Sequence, residues 1–197
     1  KTLLREELTP QQAMCMLHFL KSHNVLRGVY IDGLGHMSRE DFSEIEAVAA
    51  SPATAALMRR SYQTDEDLDA VTAQHNSVQK IIAFFRNPDD KQATIREITA
   101  RFPGYAVSSS LGNNIEINAQ NATKGSALCF LCEKIGVPIG QCMAFGDGTN
   151  DYSMLRAAGF GVAMGNASEE VQSCADAVTE TNEEDGVARM IERVLGL

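Results

Sequence analysis

The sequence predicts an α/β protein with two parts, an α+β region followed by a region built on a parallel sheet. In the second half, short apolar runs alternate regularly with helical patterns, which is typical of parallel strands joined by helices. In the first half, strands and helices follow one another without that alternation. The 197 residues fit one large domain or two small ones. We expect a linker or edge segment over residues 1–8, an α+β domain over 9–112 and the parallel part over 113–197.

Local signals place the elements of the first half. Thr9, Pro10 and Gln12 indicate a helix start, because threonine caps the first turn and proline suits the first helical position. Ser38 is expected to cap a second helix, and Asp32 with a following glycine ends a strand in a turn. The pattern predicts strands over 27–31, 78–85, 105–110 and 114–118, helices over about 10–20, 39–50, 52–60 and 90–101, and a loop with a short helix over 65–74.

The second half has equally clear signals. Gly136 and Pro138 end a helix that begins at Lys124. Ser168 caps a short helix, and Thr181 with a glutamate three residues later begins the last one. The pattern predicts strands over 142–145, 160–164 and 177–179, and helices over 124–135, 151–158, 168–174 and about 181–195.

The composition argues against two classes of partner. A net charge of −9 predicts a surface that repels nucleic acid and anionic membranes. No apolar run approaches the ~18 residues that a membrane span needs. The first residues are too acidic and too short in apolar residues for a signal peptide. We therefore expect a cytoplasmic protein without nucleic-acid or membrane partners.

The five cysteines point to the same compartment. An odd count in a chain of this size favours reduced thiols. Cys129 and Cys132 have the spacing of a redox or metal pair, but they lie in an apolar helical stretch without a second pair. We interpret them as buried structural thiols, since free cysteine behaves as a small hydrophobic residue.

The most informative stretch is the acidic loop over residues 146–151, Gly-Asp-Gly-Thr-Asn-Asp. It follows a short apolar strand and leads directly into a helix. Asp147 and Asp151 supply carboxylate oxygens, which suit Mg²⁺ bound beside a phosphate. Gly146 and Gly148 are expected to let backbone N–H groups approach a ligand closely. The loop therefore predicts a site for a divalent cation and a phosphate, helped by the helix dipole.

Lys124 is the expected partner of this loop. A lysine that opens a helix opposes the positive end of the dipole, unless a nearby anion compensates. In a parallel α/β sheet, both segments would lie at the edge outside the carboxyl ends of the strands. Asp151 is open to three roles: capping, contacting a metal through water, or orienting Lys124. Asn150 either donates to a phosphate oxygen or caps the helix.

These residues resemble a known family, the haloacid dehalogenase-like phosphatases. Gly-Asp-Gly-Thr-Asn-Asp-Tyr-Ser-Met-Leu is similar to the family's fourth motif, and Ala-Thr-Lys-Gly-Ser-Ala-Leu to its third. Residues 113–118, 157–167 and 182–188 resemble the Cof-type subgroup. The resemblance is strong over 113–197 and looser over 9–112.

The resemblance implies a role for each part. Residues 113–197 would form the C-terminal part of a Rossmann-like core, and the α+β region would be a cap that selects the substrate. Asp147 would hold Mg²⁺, and Asp151 would support that metal or Lys124. Lys124 and Asn150 would contact the transferring phosphate. The catalytic candidates are therefore Lys124 and Asp151, and the metal candidates are Asp147 and Asp151.

One departure from the family pattern stands out. The family's nucleophile is the first aspartate of Asp-x-Asp-Gly-Thr, and the printed sequence contains no such motif. Near Asp32, Tyr30 stands where the nucleophile would be and Leu34 replaces the threonine, so we interpret Asp32 as a turn residue. We expect this chain to correspond to the cap and part of the core, and to be inactive alone. An incomplete sheet would also expose an edge, which favours self-association.

Two functions follow from these expectations. The leading one is an Mg²⁺-dependent phosphomonoesterase of Cof type that acts on small phosphorylated metabolites such as sugar phosphates. It would form an aspartyl-phosphate on a residue outside this chain. The alternative is a catalytically inactive fragment that acts as a phosphate-binding or interaction module. Cation-pumping ATPases carry a similar acidic loop, but they need membrane-spanning helices that the sequence does not predict.

Overall fold

The computed structural model describes residues 2–110 and 112–197, and these residues divide into two compact units, one ending at residue 121 and the other over residues 122–197. The first unit contains a six-stranded sheet of order β3-β2-β1-β4-β6-β5. Neighbouring strands are antiparallel, except that β2 and β3 are parallel. The strands are β1 (Val25–Ile31), β2 (Leu34–Ser38), β3 (Tyr62–Asp65), β4 (Lys80–Phe85), β5 (Tyr105–Ser108) and β6 (Asn114–Ala119).

Helices cover both faces of this sheet. They are α1 (Pro10–Leu20), α2 (Arg39–Ser43), α3 (Pro52–Ser61), α4 (Leu68–Gln74) and α5 (Asp90–Arg101), with a 3₁₀ turn at Ile45–Ala47. Alternate residues of a strand point to opposite faces. On β4, Ile81 therefore belongs to one apolar cluster with Leu17, while Ile82 belongs to a second with Met58. The first unit thus has a core on each side of its sheet.

The second unit is a three-stranded parallel sheet of order β7-β8-β9. Its strands are β7 (Met143–Gly146), β8 (Phe160–Ala163) and β9 (Ala177–Val178). Its helices are α6 (Lys124–Ile135), α7 (Tyr152–Ala157), α8 (Glu169–Gln172) and α9 (Gly186–Leu195), with 3₁₀ turns at Ile139–Gln141, Thr149–Asp151 and Asn182–Glu184. The predicted α/β class with a parallel sheet is therefore confirmed.

Several elements of the first unit differ from the sequence prediction. The helix expected over 39–50 is broken into α2 and a 3₁₀ turn, and strands β2 and β3 were not predicted. Strand β6 pairs with β4 and β5, so the division between the units falls after residue 121 and not at 112. Leu8 is fully buried and exchanges backbone hydrogen bonds with Val78, so this end of the first segment belongs to the first unit.

Other local predictions are confirmed. Thr9 and Gln12 form the expected capping box at the start of α1. Asp32 and Gly33 have φ values of 49° and 84° and form the tight turn between β1 and β2. Asp32 is thus a hairpin residue, in agreement with its interpretation as turn chemistry.

The cysteines agree only in part with the prediction of buried structural thiols. Cys132 is buried, but Cys129 is exposed. All five cysteines are free thiols. Within the described ranges, no helix has the length and hydropathy that crossing a membrane would require.

Asp41 gives the first unit a predictable dependence on pH. Its carboxylate is buried in α2, accepts a 3.0 Å hydrogen bond from Ser38 and lies 3.7 Å from the Arg27 guanidinium. Burial raises the pKa of Asp41 above 3.8, although Ser38 and Arg27 oppose that shift. The folded state therefore holds this proton more tightly than the unfolded state, and the contribution of Asp41 to the free energy of unfolding falls as pH rises above 3.8 through the raised pKa.

We expect Asp41→Asn to reduce that fall, because asparagine does not titrate. Urea unfolding followed by circular dichroism, from about pH 3.5 to about pH 6.5, would compare the two slopes. Carboxylates elsewhere contribute equally to both proteins, so the difference isolates Asp41. Identical slopes would contradict the raised pKa.

Candidate functional site

Asp151 organises the acidic loop of the second unit. Gly146 ends β7, and a 3₁₀ turn over Thr149–Asp151 leads into α7. Asp151 is 4% exposed, and its Oδ2 accepts hydrogen bonds from the backbone N–H groups of Asp147, at 3.0 Å, and Gly148, at 3.1 Å. This is the reach-back of a capping box, in which an acidic side chain satisfies backbone donors before its helix. One carboxylate oxygen therefore fixes the path of the loop.

The other oxygen of Asp151 binds Lys124. The Lys124 Nζ donates to Asp151 Oδ1 at 2.5 Å, across 27 residues of sequence. The Asp151 side chain is 6% exposed and the Lys124 side chain 50% exposed. The structure thus brings Lys124 to the loop as the sequence predicted, and half of the lysine side chain remains exposed to solvent.

Gly125 makes that meeting possible. A Cβ atom built on Gly125 would lie 2.4 Å from the backbone oxygen of Ser153, so α6 and α7 touch backbone to backbone at this point. The Ser153 Oγ accepts a 3.0 Å hydrogen bond from the Gly125 N–H, which satisfies a free donor in the first turn of α6. Sequence reasoning missed both residues. The available signal was a glycine at the second position of a helix, where it costs stability.

Replacing Gly125 with alanine should separate the two helices. We expect Gly125→Ala to lower the free energy of unfolding by about 1–3 kcal/mol, because the added methyl group meets backbone that cannot rotate away. Gly140→Ala is the matched control, since nothing lies within 4 Å of a Cβ atom at that position. Urea unfolding would compare both variants with the parent chain, and an equal effect of the two substitutions would contradict the tight contact.

Gly146 has a different role from the one predicted. A Cβ atom there would lie 2.4 Å from Asp151 Cβ, so the absent side chain leaves room for Asp151 and not for a ligand. At Gly148, a Cβ atom would lie 2.6 Å from Asn150 Oδ1. The prediction that these glycines open the backbone to a ligand is therefore wrong on the described geometry, because Asp151 fills the space beside Gly146 and its Oδ2 already accepts the Gly148 N–H.

Asp147 is the exposed carboxylate of the loop. It directly follows β7, and its Oδ2 accepts a 3.2 Å hydrogen bond from the Asn166 side chain. The Asn166 Oδ1 in turn accepts a 3.1 Å hydrogen bond from the Asn182 N–H. Asn166 therefore links the loop to the segment before α9. Sequence reasoning did not single it out, although it lies in one of the stretches that carry the family resemblance.

The carboxylates of the acidic loop fit one part of a magnesium site. Mg²⁺ is commonly held by one or two carboxylates, with water and substrate phosphate completing its shell. Asp147 can offer a carboxylate at the surface, whereas both oxygens of Asp151 accept hydrogen bonds from within the unit. Across residues 2–110 and 112–197, no group of three or more histidine, cysteine, aspartate or glutamate side chains could hold a metal. The geometry favours Asp151 as the partner of Lys124.

Comparisons with known proteins agree with the family resemblance of the acidic loop and Lys124. Residues 1–191 match the sequence model for haloacid dehalogenase-like hydrolases. Among relatives from Bacillus subtilis (strain 168), the phosphatase YwpJ is 51% identical over 87 residues, which is 44% of this chain and 30% of that protein. The 5-amino-6-(5-phospho-D-ribitylamino)uracil phosphatase YitU is 31% identical over 175 residues, covering 89% of this chain and 61% of that protein. The chain therefore spans less than two thirds of these relatives.

A solved structure shows the same fold. It is a haloacid dehalogenase-like hydrolase from B. subtilis, with a TM-score of 0.80 and 29% sequence identity. The match covers 95% of this chain and 72% of that one. The likeness thus includes both units of the present chain.

Proposed function

Because the chain belongs to the haloacid dehalogenase-like hydrolases, we propose that it is part of an Mg²⁺-dependent phosphomonoesterase of Cof type. The observation that carries the proposal is the contact between Lys124 and the buried Asp151, beside the exposed Asp147. A lysine held by a buried carboxylate in a loop that also carries an exposed carboxylate is suited to a phosphate and its metal ion. The relatives YwpJ and YitU, which are both named as phosphatases, support the same proposal.

Each residue has a defined task in this proposal. Lys124, held in place by Asp151, offsets negative charge on the phosphoryl oxygens, which is a major requirement of phosphoryl transfer. Asn150 donates its amide N–H to another phosphate oxygen. Asp147 holds Mg²⁺, which supplies further charge neutralisation when bound. Asp151 acts through Lys124 and the loop backbone, so it is a positioning residue.

We place the nucleophile outside the printed sequence. The expected aspartate motif is absent from these 197 residues, and the hydrolysis would proceed through an aspartyl-phosphate on that missing residue. Two features of the second unit support a larger sheet around β7. Within the described ranges, β7 pairs on one side only, with β8. Large apolar side chains also remain exposed on α6 and α9: Leu131, Ile135, Ile191, Val194 and Leu195.

The substrate we propose is a small phosphorylated metabolite such as a sugar phosphate. YitU, which matches most of this chain, is named for a substrate that carries a phospho-ribityl group. In this proposal the first unit is the cap that selects the substrate, and the second unit belongs to the core that carries the phosphate chemistry. The intact protein would be cytoplasmic, without nucleic-acid or membrane partners. Self-association through the free edge of β7 also remains a prediction.

A direct test starts from the coding DNA upstream of Lys1. An in-frame Asp-x-Asp-Gly-Thr would supply the nucleophile, and the extended protein should then release inorganic phosphate from an aryl phosphate only when Mg²⁺ is present. The printed chain, purified alone, should release none above background. A stop codon immediately upstream, or equal activity of both proteins, would contradict the proposed division of the active site. The stop codon would favour an inactive phosphate-binding module.

A further inference from the structure

The second unit holds two thiols in direct contact. The sulfur atoms of Cys132 and Cys142 lie 3.1 Å apart, although the two residues are ten positions apart in the sequence. Cys132 lies in the last turn of α6, and Cys142 directly precedes β7. Closing this distance to the roughly 2.05 Å of a disulfide requires a shift of about 1 Å. The contact therefore joins two separate elements and is not a property of the Cys129–Cys132 spacing.

The backbone on both sides holds the thiols in place. The Cys132 carbonyl accepts a 3.0 Å hydrogen bond from the Val137 N–H, within the turn that ends α6 at Gly136. Cys142 donates its N–H to the Ile139 carbonyl at 3.1 Å, and its own carbonyl accepts a 3.1 Å bond from the Phe160 N–H. Anchored backbone on both partners gives the second thiol a high effective concentration at the first.

The two thiols differ in their access to solvent. Cys132 is 4% exposed, whereas Cys142 is partly exposed and lines a shallow apolar pocket with Met143 and Phe160. The pKa of the Cys132 thiol is raised, first by its hydrogen bond to Cys142 and then by burial. A reagent from solvent therefore meets Cys142 first, and Cys132 is placed to react with whatever forms there.

We propose that Cys132 and Cys142 form a disulfide when the protein meets a low-molecular-weight disulfide. In the first step, the Cys142 thiolate attacks one sulfur of the reagent, forms a mixed disulfide and releases one reagent thiolate. The Cys132 thiol then loses its proton and attacks the Cys142 sulfur, which releases the second thiolate. The two cysteines lose two electrons and two protons, and the reagent is reduced to two thiols.

The consequence is a covalent tie between two elements of the candidate site. Helix α6 begins at Lys124, and β7 leads into Asp147. A bond between Cys132 and Cys142 would close the turn between α6 and β7, and would restrict local opening of that segment. The inference concerns the thiols alone and does not depend on the proposed phosphatase activity.

The test treats the folded chain with glutathione disulfide and maps its thiols by peptide mass spectrometry without reduction. We expect a linked peptide pair containing Cys132 and Cys142, with the loss of two hydrogens, while the exposed Cys15 and Cys129 carry glutathione. Dithiothreitol should reverse both products. Free Cys132 and Cys142 alongside modified Cys15 would overturn the proposal, as would a link between Cys129 and Cys142.

Two sets of variants sharpen this result. In Cys132→Ser the reaction should stop at glutathione on Cys142, and in Cys142→Ser the buried Cys132 should stay free. Because serine at a buried position can impair folding, a second variant keeps both partners and replaces the other three cysteines, Cys15, Cys129 and Cys174, with serine. Its oxidised form should melt several degrees higher than its reduced form, and an unchanged melting temperature with no linked peptide would overturn the proposal.

Discussion

Replacing Asp147 with asparagine should abolish the proposed Mg²⁺-dependent phosphatase activity of the extended protein and leave the stability of the chain almost unchanged. Asp147 is exposed, and its carboxylate accepts a hydrogen bond from Asn166. Asparagine has the same shape and keeps an oxygen that can accept that bond. What it removes is the negative charge, which strengthens the binding of a hard divalent cation to a carboxylate ligand. The substitution therefore separates metal binding from folding.

The measurement has two parts. Release of phosphate from an aryl phosphate is followed at increasing Mg²⁺ in the extended protein, and urea unfolding is followed by circular dichroism in the printed chain. We expect activity at background level at every Mg²⁺ concentration, and a change in the free energy of unfolding within about 0.5 kcal/mol. Undiminished turnover would remove Asp147 from the site.

Asp176→Asn provides a matched control for charge. Asp176 is a second aspartate of the same unit, whose carboxylate accepts a 2.8 Å hydrogen bond from the Gly161 N–H. It follows α8 and lies outside the acidic loop. Its replacement removes one negative charge from the same unit, as Asp147→Asn does. Because that charge lies outside the acidic loop, activity should persist. Equal loss of activity in both variants would indicate a general effect of net charge.

The sequence was sufficient to predict the meeting of Lys124 with the acidic loop. Parallel strands place their carboxyl ends along one edge, so a loop that follows β7 and a helix that opens nearby share that edge. The caps that begin α1 and α8 were equally local signals, since each depends on residues within one helical turn. Short-range chemistry and sheet topology were therefore enough for this part of the fold.

The rest depended on contacts between distant residues. Gly125 and Ser153 are separated by 27 intervening residues, and only the packing of α6 on α7 shows why that position must be glycine. Gly146 looked like a ligand-facing glycine because the sequence cannot show that Asp151 folds back beneath it. The boundary between the two units was misplaced for the same reason, because only the pairing of β6 with β4 and β5 shows that β6 belongs to the first unit.

Strands β2 and β3 show a second limit. Each has only four or five residues, and β2 contains polar residues and a glycine that weaken an alternating pattern. Their assignment as strands rests on backbone pairing: β2 pairs with β1 on one side and with β3 on the other. Short strands of this kind are fixed by their neighbours, so a local pattern does not reveal them.

The second large effect is expected from the pair of Lys124 and Asp151. In the proposed phosphatase, Lys124→Met should lower the rate of phosphate release by about 10²–10³, because the charge proposed to stabilise the transition state is lost. In the printed chain it should cost about 1 kcal/mol of stability, since a buried carboxylate loses its charged partner while the lysine itself is half exposed. Lys124→Arg keeps the positive charge, so it should retain more of the rate of phosphate release and more of the stability than Lys124→Met.

Asp151→Ala should destabilise the chain more than Lys124→Met does. Its loss frees the Lys124 ammonium and also leaves two backbone N–H groups, those of Asp147 and Gly148, without their acceptor. We expect a loss of about 2–4 kcal/mol. This asymmetry is specific to the observed geometry, in which one oxygen serves the lysine and the other serves the loop.

A double-mutant cycle in the printed chain tests the coupling without any need for activity. If the pair interacts as described, the double variant that carries Lys124→Met and Asp151→Ala should lose less free energy of unfolding than the two single variants lose in sum. We expect a difference of about 0.5–1.5 kcal/mol. A coupling energy near zero would mean that Lys124 is free in solution and that the loop alone holds Asp151. In that case the positive charge would not be fixed beside the loop, and the phosphate-binding role of Lys124 would lose its structural basis.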